Sequence, residues 1–248
     1  MCEDLENKIG ELKEDNARLK GEVHTLREAL NREDEALATG EIRLKLAYLS
    51  TIQALVRAIE AKDPYTVGHS SMVSRIAVAM ARKLDLSEGE CERIRIAGTL
   101  LDVGKIGIDS NILTKRDDLI DQERTALNEH VRIGAQIVEP IIYPWDVSTL
   151  IYQHHERLDG SGYPEGLAGE QIQQEAMILG LADAFVAMIA KRAYREAHRE
   201  NEVVAYFQAE ADKIFEQQCV NVLVELLHTD ADLREEIDRF KATIGQAN

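Results

Sequence analysis

Three observations predict an all-α fold with a helical domain behind an N-terminal parallel, dimeric coiled coil. Apolar residues recur at helical spacing along the chain, with no convincing run of period two. Only 5% of residues are aromatic, and Ala, Leu, Ile, Glu and Arg are frequent, which favours helix over sheet. The first forty residues carry a heptad repeat.

In that repeat the a positions are Cys2, Ile9, Asn16, Val23 and Leu30, and the d positions are Leu5, Leu12, Leu19 and Leu26. β-Branched residues at a with Leu throughout d favour two parallel strands. Asn16 at an a position pairs well only with an aligned Asn, which sets register at some cost in stability. In a parallel pair Asp15 faces Lys20 and Glu22 faces Arg27, while Lys8 opposite Lys13 is repulsive. The bland alternative is an amphipathic helix packed on its own domain, but polar residues on nearly all other faces leave it little else to bury against. Glu33 and Gly40 at d weaken the repeat. A second pattern (Ile42, Leu46, Leu49, Ile52, Val56, Ile59) predicts a helix that stops at Asp63-Pro64. The expected divisions are a dimerisation helix at 1–40, a domain core at 41–201, and C-terminal helices with an extra tail at 202–248.

Helix follows helix from there. His69 opens a segment with Val73, Ile76, Ala77 and Met80 at helical spacing. Ser87 and Glu90 have the spacing of an N-cap and its capping-box partner. The following helix reaches LLDVGK, with Asp102 beside apolar residues, and another carries His130 among Val131, Ile133 and Ile137. HHERLDGSGYP at 154–164 ends a helical segment in a dense cluster of turn residues. A helix over 171–191 places Asp183 in AMILGLADAFVAMIA, where a carboxylate must be paired, protonated or metal-bound. A further helix is expected from about Asp230 to Ala247.

A net charge of −16 disfavours binding to duplex nucleic acid or insertion at an anionic membrane. The longest nearly apolar run, 176–190, is too short to span a bilayer. Three dispersed cysteines support neither a disulfide framework nor a thiolate zinc site, which suits a reducing cytoplasm. Each histidine taken singly is more often a satisfied core residue than a ligand. Four of them (His69, His130, His154, His155) with two buried-type carboxylates suit Zn, Mn or Fe. His24, His198 and His228 fall outside these motifs.

The ordered blocks DPYTVGHS (63–70), LLDVGKIGI (100–108), HVRIG (130–134), HHERLDGSGYP (154–164) and ADAF with RAYR (182–195) resemble the HD-GYP family. These are bacterial, metal-dependent phosphohydrolases of the all-helical HD superfamily, best known for hydrolysing cyclic di-GMP. The resemblance implies two metal ions sharing Asp102, with His69 and Asp183 on the first and His130, His154 and His155 on the second. It implies hydrolysis by activated water at Asp102, a phosphate contact from Lys105, and ligand-binding roles for Arg192 and Arg195. It also implies that the loop at Gly162, Tyr163 and Pro164 contacts proteins such as diguanylate cyclases.

The sequence departs from that pattern. The name-giving His-Asp pair reads Leu101-Asp102, and an isobutyl group cannot ligate a metal. Val186 stands where the family usually has an Asp that resembles a guanine contact, Met177 replaces a common Arg, and Gln173-Gln174 replace Pro-Leu. The usual later signature is reduced to Phe215-Glu216. These departures imply a degenerate member that retains one divalent metal (Fe, Mn or Zn), with the second site weak or empty. It would act as a dimeric nucleotide-sensing or protein-interaction module with weak or no phosphodiesterase activity. An active phosphodiesterase with an incomplete or mononuclear site remains the alternative, and a scaffold with an empty site is the third reading.

Overall fold

The structure, a computed structural model, describes residues 2–63, 66–115, 117–141, 145–190 and 197–246, with some side chains of the first 45 residues and of 244–246 outside the described set. Among the described residues the chain is helical, with only two isolated β-bridges, Asp159 with Ala168 and Ala211 with Phe215. It divides into two compact units, Met1–Thr51 and Ile52–Asn248, and the division falls inside the first helix.

The first unit is the bulk of α1 (Cys2–Lys62), a helix of 61 residues. It continues through Gly40, where the heptads weaken. Described apolar positions of the repeat (Ile9, Leu19, Val23, Leu26, Leu30) are all exposed. Cys2, Leu5, Leu12 and Asp15 of the predicted seam have side chains outside the described set. The helix ends as expected at Asp63, whose N–H still donates to the Ile59 carbonyl at 2.8 Å.

The second unit opens with the end of α1, where Ile52 and Ile59 are buried. It continues through α2 (His69–Lys83), α3 (Glu88–Leu100), a 3-10 turn (Val103–Gly107), α4 (Ser110–Leu113), α5 (Asp121–Asn128), α6 (His130–Val138) and α7 (Ser148–Gln153). After the loop and a 3-10 turn at Gly169–Gln171 come α8 (Gln174–Ile189), α9 (Glu200–Ala209), α10 (Gln217–Thr229) and α11 (Ala231–Gln246). The core is α2 against α3, α8 and α10, with α6 crossing the 3-10 turn and packing on α7. α8 is buried almost all round, which is why its sequence is apolar without a polar face. α3 starts at the expected cap: the Glu90 N–H donates to Ser87 Oγ at 3.3 Å and the Ser87 N–H to Glu90 Oε2 at 2.8 Å. Among the described residues no helix is long and apolar enough to cross a membrane.

Two glycines let backbones meet around the histidines. A Cβ on Gly104 would lie 1.9 Å from the His130 carbonyl oxygen, and one on Gly180 would lie 2.2 Å from that of His154. Both obstacles are backbone, so neither can rotate away. Gly104→Ala should therefore cost about 3 kcal/mol or more, read as a lower urea midpoint or as loss of soluble protein; an unchanged midpoint would contradict the crossing.

The C-terminal helix α11 packs on α2 and α10 and buries Leu233, Ile237 and Phe240. Glu200 ties it to α9 by accepting from Lys241 Nζ at 2.7 Å and Arg234 Nη1 at 2.9 Å. Partial burial pushes the Glu200 carboxyl up, but these two cations outweigh it and hold its pKa below the ordinary 4.5. A carboxylate with a depressed folded pKa stabilises above its unfolded pKa, and the contribution is lost as pH falls through the folded value. Glu200→Gln should thus lower Tm at pH 7, with the difference from the parent shrinking below about pH 4.5. A difference that is independent of pH would refute the ion-pair account.

Candidate metal centre

His130 begins α6 and His154 follows the last residue of α7, and both rings fold back onto their own turn. His130 Nδ1 meets the Leu127 carbonyl at 2.8 Å, and His154 Nδ1 meets the Ile151 carbonyl at 2.7 Å. A carbonyl oxygen can only accept, so Nδ1 carries the hydrogen in both rings and Nε2 keeps a bare lone pair. Both Nε2 atoms are buried without a hydrogen-bond partner. An orphaned buried acceptor costs free energy unless something else takes it up. His155 completes the group: one ligand atom from each of the three rings lies within 4.8 Å of the others. Its ring stacks on Tyr163 at 4.7 Å between centroids.

Electrostatics keep these rings ready to ligate. Burial pulls the His130 pKa down to about 4, against a smaller opposing pull from Asp102. Burial likewise lowers His154 and, helped by neighbouring His154, takes His155 well below the usual histidine value. All three are neutral at pH 7, the form that donates to a metal. Two oriented lone pairs and a third imidazole in a dry pocket fit a divalent transition metal such as Zn, Mn or Fe.

The predicted carboxylates lie next to this trio, and each also has a partner outside it. Asp183 Oδ1 is 2.8 Å from His69 Nε2, and its other oxygen is 3.9 Å from His155 Nδ1. Burial pushes the Asp183 carboxyl up, but the bond from His69 and the nearby rings hold it well below the ordinary range. The Asp102 carboxylate is also desolvated and still held low, first by Lys105 and then by His69 and His130. Lys105 Nζ sits 3.1 Å from Asp102 Oδ1 and 3.3 Å from Asp63 Oδ2. Lys62, at the end of α1, donates to the Ile106 and Ile108 carbonyls at 2.6 Å each and so holds the turn that presents Lys105. Leu101 is buried beside Asp102, and Val186 is buried one turn beyond Asp183. Arg192 and Arg195 lie outside the described residues.

The loop after the histidines closes on its own start. Glu156 is buried and its carboxylate accepts from the N–H groups of Glu165 at 2.8 Å and Leu167 at 2.9 Å. The Tyr163 N–H donates to the His155 carbonyl at 3.2 Å, and the Tyr163–Pro164 peptide is cis. Arg157 donates to the carbonyls of His154 at 3.1 Å and Glu156 at 2.8 Å, and lies over the Phe215 ring at 5.3 Å. An open cleft of about 520 Å³ is lined by His155, Tyr163, Asp183, Arg157, Tyr206 and Phe215, among others. Sequence reasoning missed Asp63, Glu156 and Arg157 as parts of this site. All three stand inside blocks that carry the family resemblance, but Asp63 meets Lys105, Glu156 reaches across a loop and Arg157 lies over Phe215, so spacing alone did not mark them.

Comparison with known proteins follows the same outline. The HD domain family matches residues 53–218. The chain is 39% identical over 176 residues to the cyclic di-GMP phosphodiesterase response regulator RpfG of Xanthomonas campestris, covering 70% of this chain and 47% of that protein. It is 32% identical over 192 residues to the 3'3'-cGAMP-specific phosphodiesterase 3 of Vibrio cholerae, covering 77% of this chain and 42% of that one. The chain therefore spans less than half the length of these two curated relatives. Among solved structures, its fold is similar to a cyclic GMP-AMP specific phosphodiesterase of V. cholerae, with a TM-score of 0.59 and 17% identity over 79% of this chain and 53% of that chain. It is also similar in fold to Bd1817, an HD-GYP-type protein of Bdellovibrio bacteriovorus, with a TM-score of 0.54 and 21% identity over 64% of this chain and 51% of that one.

Proposed function

We propose, from the premise that this chain belongs to the HD domain family in its HD-GYP form, that it is a degenerate, cytoplasmic cyclic-dinucleotide module with weak or no phosphodiesterase activity. It would keep one divalent metal on His130, His154 and His155 with Asp102. The observation that carries this reading is Leu101: a buried isobutyl group fills the position where the HD motif has a metal-ligating imidazole. The first site is left with His69, Asp102 and Asp183, of which His69 and Asp183 already satisfy each other at 2.8 Å.

A divalent ion held by the trio would supply Lewis acidity toward a phosphoryl oxygen. The remaining roles belong to side chains. Lys105, held by Asp102 and Asp63, offers a cation to a phosphate. Arg192 and Arg195 would add the local positive charge that a chain of net charge −16 otherwise lacks. Tyr163 walls the cleft beside His155, while Val186 offers no hydrogen bond to a base edge. Gly162, Tyr163 and Pro164 would also present a surface to signalling proteins, diguanylate cyclases among them. Buried thiols at Cys91 and Cys219 support a reducing compartment.

The complete imidazole trio favours one other reading, an active phosphodiesterase with a mononuclear site, since three protein ligands suffice in other metal hydrolases. The two are separated by metal content per chain, measured by mass spectrometry on anaerobically purified protein, alongside cyclic di-GMP hydrolysis and binding by calorimetry. One metal with binding but no turnover is expected. Two metals with turnover would overturn the degenerate reading, and one metal with turnover would establish the mononuclear enzyme.

A further inference from the structure

We propose that the N-terminal part of α1 is a docking surface for a second copy of this chain, forming a parallel, in-register two-stranded coiled coil. The inference is independent of what the metal centre does. Within the first unit the apolar residues Ile9, Leu19, Val23, Leu26, Leu30 and Leu37 all fall on one heptad stripe, and every one is at least 47% exposed. These six large apolar side chains share a single a/d seam, interrupted by Asn16 and Glu33, and a row of exposed apolar residues of this kind marks an association surface.

The composition of the stripe selects the occupant. Spacings alternate four and three along this helix, the period of a left-handed coiled coil rather than the wider stripe of a helix lying on a globular core. Ile9 and Val23 at a, with Leu19 and Leu26 at d, are the residues that favour two strands over three or four. Asn16 is exposed in the middle of the a row. In a parallel, aligned pair it meets its own copy, whereas any slip or reversal sets its amide against an apolar residue. Across that same pair Glu22 at g faces Arg27 at e of the other chain, and both are exposed and carry opposite charge. Self-pairing supplies the matching Asn in the same layer without a second sequence. The seam ends near Gly40, where d is first Glu33 and then Gly40.

The test uses the full chain in sedimentation equilibrium. The parent is expected to be a dimer at micromolar concentration. Leu19→Lys with Leu26→Lys should weaken the dimer by at least about 100-fold, leaving the thermal unfolding of the second unit unchanged. Orientation is read by Ile9→Cys in a Cys2→Ser background under mild oxidation. Parallel pairing puts the two introduced thiols in one a layer and gives a covalent dimer, whereas antiparallel pairing sets position 9 near the far end of the seam and gives none. A monomeric parent, a trimer or tetramer, a dimer untouched by the lysine pair, or failure of the Ile9→Cys cross-link would each overturn the proposal.

Discussion

Replacing Leu101 by His is expected to strengthen binding of a second metal ion by at least about 100-fold and to create or sharply raise cyclic di-GMP hydrolysis. Leu101 is buried and immediately precedes Asp102, and the proposed function has an imidazole at this position turned toward the first site. Without metal the new ring is a buried polar group lacking a partner, which costs about 1–3 kcal/mol. The variant should therefore melt several degrees lower than the parent in chelator and regain that loss when excess Mn²⁺ binds only the folded state. Metal content, Tm with and without Mn²⁺, and turnover are measured on the same preparation. A second ion that binds without any gain in hydrolysis would shift attention to Val186 as the deficient position. A variant with neither extra metal nor Mn²⁺-dependent stabilisation would show that Leu101 does not face the first site.

Glu156→Ala is expected to destabilise the second unit by about 2–4 kcal/mol, because two backbone N–H groups lose a charged acceptor in a buried setting. The carboxylate spans from the residue after His155 to Glu165 and Leu167, so it closes the loop that stacks Tyr163 on His155. Removing it should also weaken metal binding at the imidazole trio by about 10–100-fold, the usual effect of losing a group that orients a ligand. Asp159→Ala is the matched control. Asp159 is exposed and its bonds are local, to the backbone N–H of Ser161 at 2.9 Å and to the Ser161 side chain, so its loss should stay within about 0.5 kcal/mol. Chemical denaturation gives the stability term, and metal titration of the refolded variant gives the affinity. If Glu156→Ala loses stability but binds metal as the parent does, the staple holds the loop without orienting the histidines.

Much of the architecture was readable from short-range pattern. The stop of α1 at Asp63, the capping box of Ser87 and Glu90, the helix over most of 171–191 and the C-terminal helix all follow from residues within a few positions of one another. The continuity of α1 through Gly40 was not anticipated, because weak heptads interrupt a seam without interrupting backbone hydrogen bonds. The four histidines and two carboxylates were likewise picked out by residue type and by the blocks they sit in.

Their arrangement needed the packed chain. His69 and Asp183 are 114 residues apart in sequence and bonded at 2.8 Å. Lys105 is marked by its motif as a phosphate contact, and only the fold sets it between Asp102 and Asp63. The bare Nε2 atoms of His130 and His154 follow from which carbonyl each ring meets, and Gly104 and Gly180 permit backbone approaches that no local rule anticipates. Helix ends, heptads and residue chemistry are encoded by neighbours along the chain, since backbone hydrogen bonds and side-chain periodicity act over one or two turns. Which nitrogen is bare, which carboxylate is already paired and which N–H groups Glu156 holds depend on groups brought together from α2, α6, α7 and α8, and packing in the folded core sets them.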